Sequence, residues 1–204
     1  LTKEEFLQKV DDDLIWRRRE LSNLKGTIQG ADLNPVHRAA LLRAGVALLY
    51  AHWEGFVKSS GTYYLKYVSL QGAKGTDLRP NFIAIKFKAA LMEATRSKKP
   101  SATADLVDYF CMKLGNRLNI PYKGVVNTES NLSSSIFREI VWSLGLDMAP
   151  FETKCHLIDT SLLERRNHIA HGSYIDVDIN DYLALQEEVV SMMEAFRTQI
   201  QNAV

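Results

Sequence analysis

Only two cysteines, Cys111 and Cys155, occur in the 204 residues. One bridge could join them, but nothing demands it, and a reduced chain in the cytoplasm is the simpler expectation. No run approaches the roughly 18 consecutive apolar residues of a membrane span, so no membrane partner is expected. The opening stretch LTKEEFLQKV is amphipathic and acidic, unlike a secretory signal, and its lack of Met leads us to expect a trimmed end. Neither sign of charge is in excess: 25 Lys and Arg face 24 Asp and Glu, a formal net charge of +1. The whole molecule therefore exerts no strong pull on nucleic acid or membrane. A phosphate-cradling glycine loop is missing, which leaves ATP hydrolysis without support and no cofactor expected. Ser133, Ser134 and Ser135 lack a G-x-S-x-G setting and read as a helix start, not as nucleophiles.

What is present is ordinary in amount and uneven in distribution. Hydrophobic residues at 46% and charged residues at 24% argue for an ordered chain, and the length fits one domain over 1–204. Between Arg79 and Lys99 the bases Arg79, Lys86, Lys88, Arg96, Lys98 and Lys99 face Glu93 alone. The C-terminal third leans acidic through Asp159, Glu164, Asp176, Asp178, Asp181, Glu187, Glu188 and Glu194.

The periodicity is helical almost throughout. Thr2 and Glu5 have capping-box spacing, and Phe6, Val10, Leu14, Leu21 and Leu24 form a stripe that leads toward Gly26. Asn34 caps, and Pro35 opens, a long apolar helix that reaches about Gly72 and should be the buried centre. Further helices are expected over 80–97 (despite a strand-like start), 103–114, 132–146, 154–171 and 177–200, the last capped by Asp178. Residues 120–130 read as a polar loop with room for a short hairpin. The expected class is an all-α bundle of six to seven helices.

The densest chemistry is RRNHIAHG, residues 165–172. At 100° per residue, Ile158, Leu162 and Ile169 form a buried stripe flanked by Arg165 and Arg166, while Glu164, His168 and His171 share another face. Arg166 and His171 stand about 140° apart on a regular helix. Either the last turn distorts, or these groups meet counterparts on a second copy of the helix. Three readings stay open. The segment could be a solvated helix end, where cations complement the macrodipole and Gly172 caps. Glu164, His168 and His171 could hold a metal, although a catalytic site needs three protein ligands with support behind them. Or the arginines could grip phosphate while a histidine moves protons, enough to cut RNA through its own 2′-hydroxyl without metal.

Arg166-Asn167-His168-Ile169-Ala170-His171 resembles the R-x4-H motif, in its R-N-x-x-x-H form, of the HEPN superfamily. The motif sits late in the chain, before Gly172 and one last amphipathic helix. LLYAHWEGFVK, residues 48–58, is similar to an early core helix of the toxin-like RiboL-PSP/MAE group. The resemblance implies an all-helical bundle and a metal-independent endoribonuclease of a toxin or phage-defence type. It implies that Arg166 contacts the scissile phosphate, His171 transfers protons and Asn167 positions one or the other. It also implies a homodimer with two motifs facing one cleft, and a cognate antitoxin or operon-encoded protein as partner. Arg165 and His168 are further candidates for phosphate contacts. A HEPN-like subunit that binds a nucleotide or a partner without cutting is the alternative.

Glu54 interrupts the most apolar helix, and a buried carboxylate needs a partner. An arginine of the motif would serve, making Glu54 an orienting group; a solvated Glu54–Lys58 pair is the bland reading. Trp53 and Phe56 are expected in the core. WRRRE, residues 16–20, reads as a solvated face that could touch RNA.

Overall fold

In the computed structural model, which describes residues 1–30, 32–97 and 99–204, Thr2 and Glu5 form the expected capping box. The Glu5 N–H donates to Thr2 Oγ1 at 3.1 Å and the Thr2 N–H to Glu5 Oε2 at 2.9 Å, pairing amides that a first turn otherwise leaves open. Helix α1 then runs Lys3–Gln29. It does not stop near Gly26, because the apolar spacing continues to the fully buried Ile28. Burial there outweighs the roughly 1 kcal/mol that a mid-helix glycine costs. Asn34 Oδ1 accepts from the Val36 N–H at 2.8 Å, Pro35 occupies the first turn, and α2 runs Pro35–Gln71.

Helix α2 is the axis of the bundle. Its 37 residues extend about 55 Å, and it packs on α1, α5 (Ser134–Leu144), α6 (Arg165–Ala170) and α7 (Ile179–Asn202). Leu49, Trp53, Phe56 and Val57 in its middle are wholly buried. The Trp53 ring lies 5.0 Å from Phe137, which lies 5.0 Å from Phe151 and 5.9 Å from Phe196. Trp53 and Phe56 are thus core, each ring contributing about 1.5–3 kcal/mol by burial.

The strand-like FIAIKF belongs to helix α3, Pro80–Arg96. Phe82 and Phe87 turn inward, and Asn81 donates to the Ser143 carbonyl at 2.8 Å, docking α3 on α5. Helix α4, Pro100–Asp108, continues as a π turn over Tyr109–Lys113. Lys98 of the basic run lies outside the described residues. No hairpin forms in 120–130: the described residues contain no strand, only an isolated bridge between Lys74 and Arg117. No described helix is long and apolar enough to cross a membrane.

The helix expected over 154–171 is helical throughout Cys155–Ala170, but its winding changes along the way. A 3-10 turn covers Ala149–Lys154, a π stretch Leu157–Glu164, and α6 the motif itself. The wider π turns break the 100° spacing assumed for the stripe. Ile158 and Leu162 are still wholly buried, whereas Ile169 is only half-buried.

WRRRE is the expected solvated face at Trp16, Arg18, Arg19 and Glu20, but not at Arg17. Arg17 is 8% exposed, pairs with Asp13 at 3.2 Å and donates to the His52 carbonyl at 3.3 Å. Arg18 pairs with Glu194 at 2.7 Å. His52 is buried beside Arg17, its ring edge-on to Trp16. Its Nε2 lies 2.9 Å from Glu20 Oε2. Burial, reinforced by the Arg17 charge, pushes the His52 pKa below 6.5 against the opposing pull of Glu20 and Asp13. A histidine whose pKa falls on folding binds its proton better in the unfolded chain. Its contribution to stability is therefore full above about pH 6.5 and is lost as pH falls toward the folded value. Urea midpoints of the wild type should drop over that window, and His52→Leu should flatten the drop. An unchanged profile in the variant would assign the acid sensitivity elsewhere.

Candidate active site

Helix α6 is short and closed by backbone geometry. The Gly172 N–H donates to the Ile169 carbonyl at 3.1 Å and the Ser173 N–H to the His168 carbonyl at 2.9 Å. Gly172 holds φ at +77°, a left-handed conformation that a Cβ would strain. The closure leaves His171 at the helix end, exposed, with Asn167 one turn before it.

Arg166 points the other way, toward α2. Its guanidinium carbon lies 4.1 Å from the centre of the Tyr50 ring, close enough for cation–π attraction. Nη1 donates to Asn167 Oδ1 at 2.9 Å and Nη2 to the Ser130 carbonyl at 3.2 Å, while Glu54 Oε2 stands 4.0 Å from Nη2. The Arg166 and Glu54 side chains are 21% and 20% exposed, so the pair is neither dry nor freely solvated. Tyr50, itself 2% exposed, accepts the Leu132 N–H at 2.5 Å. Burial raises its phenol pKa above the usual value, so the hydroxyl stays protonated.

The loop that meets Arg166 is strained. Glu129 and Ser130 sit consecutively at φ 50° and 68°, a region that costs a non-glycine residue about 1–3 kcal/mol. Hydrogen bonds hold it there: Tyr50 takes the Leu132 amide, and Asp159 accepts the Ser134 N–H at 2.7 Å and its hydroxyl at 2.6 Å. Ser133 Oγ accepts the Ile136 N–H at 3.3 Å, so these serines start α5.

On the far side of α6 a small cleft of about 310 Å³ is lined by Asp159, Leu163, Glu164, Asn167, His168 and His171. Asn167 therefore faces both groups, bonded to Arg166 and lining the cleft with His171. His168 Nε2 is 3.8 Å from Glu164 Oε1, and both are exposed. No three His, Cys, Asp or Glu side chains among the described residues form a group able to hold a metal. Arg165 is half-buried on the same turn and engages no partner among the described residues.

The structure thus joins Glu54 to Arg166 and Asn167 to both clusters. It does not bring Arg166 and His171 to one point within the chain. Tyr50 as the Arg166 platform, Ser130 as its acceptor and Asp159 as the loop clamp were not legible beforehand. The one sequence signal near them was NTESN, whose asparagines tolerate turns.

Glu54→Gln should cost under about 1 kcal/mol of stability, the usual worth of a part-exposed pair. If Glu54 positions Arg166 for phosphate, the same change should slow any phosphate cleavage at this site about 10- to 100-fold, the penalty of a misplaced group. The loss should fall mainly on kcat. Unaltered kcat with normal folding would reduce Glu54 to a structural residue.

No curated protein and no solved structure matches the chain. The RiboL-PSP-HEPN family model matches residues 12–202, spanning most of α1 through the end of α7 and including both α2 and the 166–171 motif. The chain therefore belongs to the RiboL-PSP-HEPN family of the HEPN superfamily.

Proposed function

We propose that the protein is a metal-independent endoribonuclease, acting in the cytoplasm as a toxin or defence effector. The observation that carries this reading is the restrained Arg166 guanidinium, linked through Asn167 to an exposed His171. Restraint lowers the entropy lost when the fork takes up phosphate. In the reaction the ribose 2′-oxygen bonds to phosphorus and the bond to the 5′-oxygen breaks. One His171 accepts the 2′ proton, a second supplies a proton to the leaving oxygen, and Arg166 offsets charge on the phosphoryl oxygens.

The two proton tasks and the divergence of Arg166 from His171 favour a composite site on a C₂ dimer, where one cleft receives both copies of each group. Tyr174, 74% exposed and three residues past His171, offers an aromatic side chain to such an interface. Light scattering at micromolar concentration without RNA should give a dimer mass; a monomer would contradict the composite site.

One observation favours a second reading, a binding subunit for a nucleotide or a partner protein such as an antitoxin. Arg166 is engaged on several sides by its own chain, as a purely structural arginine would be. Incubation with total RNA in EDTA separates the two: the nuclease reading requires cutting, and binding without cutting supports the alternative.

A further inference from the structure

Lys88 of α3's basic run and the most exposed tryptophan of the chain line one groove. Lys86, Lys88, Arg96 and Lys99 enter no ion pair among the described residues, whereas Arg79 donates to the Gly145 carbonyl at 3.0 Å. Lys88 and Met92 of α3 form one wall of a groove of about 990 Å³, Trp142 and Glu139 of α5 form the other, and Lys123 and Asn127 lie on the connecting loop. Trp142 is 56% exposed and takes part in no aromatic pair among the described residues. The rim is completed by Glu129, and the next residue, Ser130, holds Arg166 through its carbonyl.

The two walls differ in chemistry, and that difference selects the occupant. Lys88 on the α3 wall and Lys123 on the loop, neither in an ion pair among the described residues, attract a phosphate backbone to that side. An exposed indole accepts a stacked base of any kind. A carboxylate beside it accepts hydrogen bonds from exocyclic amines such as cytosine N4 but repels phosphate. A duplex would press its second backbone against Glu129 and Glu139. A single strand can turn its phosphates to α3 and its bases to α5.

We propose that the α3–α5 groove binds single-stranded RNA flanking the scissile phosphate, with Trp142 stacking a base and Lys88 and Lys123 holding the backbone. This rests on the nuclease reading for its direction toward Arg166, but binding is measurable without cleavage.

The probe is a short single-stranded RNA with 2′-O-methyl riboses, which cannot be cut by 2′-hydroxyl attack. Titration should quench tryptophan fluorescence saturably. Trp142→Ala should remove most of the quench and weaken binding about 5- to 150-fold, the range of one lost stacking contact. Lys88→Ala with Lys123→Ala should lower the slope of log affinity against log salt by about 1.4, two single-strand phosphate contacts. All three side chains are exposed, and circular dichroism checks that the fold survives. Wild-type affinity in both variants, or equal affinity for a duplex, would overturn the proposal, as would a groove that takes an amphipathic protein helix while RNA binding is unaffected. Groove-dependent binding without any cleavage of ordinary RNA would sink the nuclease reading instead and leave the groove standing.

Discussion

His171→Ala should lower RNA cleavage by about 10²–10⁴-fold, the usual contribution of a general acid–base group, while leaving the bundle intact. The side chain is exposed and its backbone, not its imidazole, closes α6. Stability should therefore move by no more than about 0.5 kcal/mol. Arg166→Ala should be as damaging to cleavage but harder on the fold. It empties the face of Tyr50 and leaves Glu54, 20% exposed, without its cation, a loss on the order of 1 kcal/mol. Arg166→Lys keeps the charge but not the fork and should rescue little. Cleavage assays beside urea denaturation separate these effects, and full activity in His171→Ala would remove the motif from the chemistry.

Trp53→Ala should cost about 3–5 kcal/mol, the range for deleting a large buried ring. Trp53 is wholly buried against Phe137 at the crossing of α2 and α5, so a cavity would open in the centre of the core. Its buried indole Nε1 has no hydrogen-bond partner among the described residues, and a buried donor left unpaired costs about 1–3 kcal/mol. Trp53→Phe removes that donor along with some volume, and the two effects offset, leaving a loss well below that of alanine. Urea midpoints check both variants. A mild Trp53→Ala would mean the core collapses around the gap or is centred elsewhere.

The helices were legible where local rules decide. The Thr2–Glu5 box, the Asn34–Pro35 start, the Gly172 stop and the Asp178 cap each act within a few residues. The motif was legible for the same reason, since Arg166, Asn167 and His171 lie within two turns. Glu54 drew notice because a carboxylate in an apolar helix needs a partner, and Arg166 now stands beside it. Tyr50, Ser130 and Asp159 were not legible as parts of the site. Their roles come from α2, a left-handed loop and a π stretch meeting in space, and no local spacing encodes that meeting. The π stretch winds more widely than the 100° step of the helical wheel, yet Ile158, Leu162 and Ile169 all pack on the core. Arg17 misled composition, since one buried arginine in WRRRE looks locally the same as its exposed neighbours; what distinguishes it is Asp13 and the His52 carbonyl across the α1–α2 contact.

The most direct test is the chemistry of the cut ends. Wild-type protein incubated with an RNA substrate in EDTA should leave 2′,3′-cyclic phosphate and 5′-hydroxyl termini, and a single deoxyribose at the cut site should block cleavage there. Ends bearing 5′-phosphate, cutting that EDTA abolishes, or cutting past the deoxyribose would contradict a site in which His171 and Arg166 drive attack by the 2′-hydroxyl.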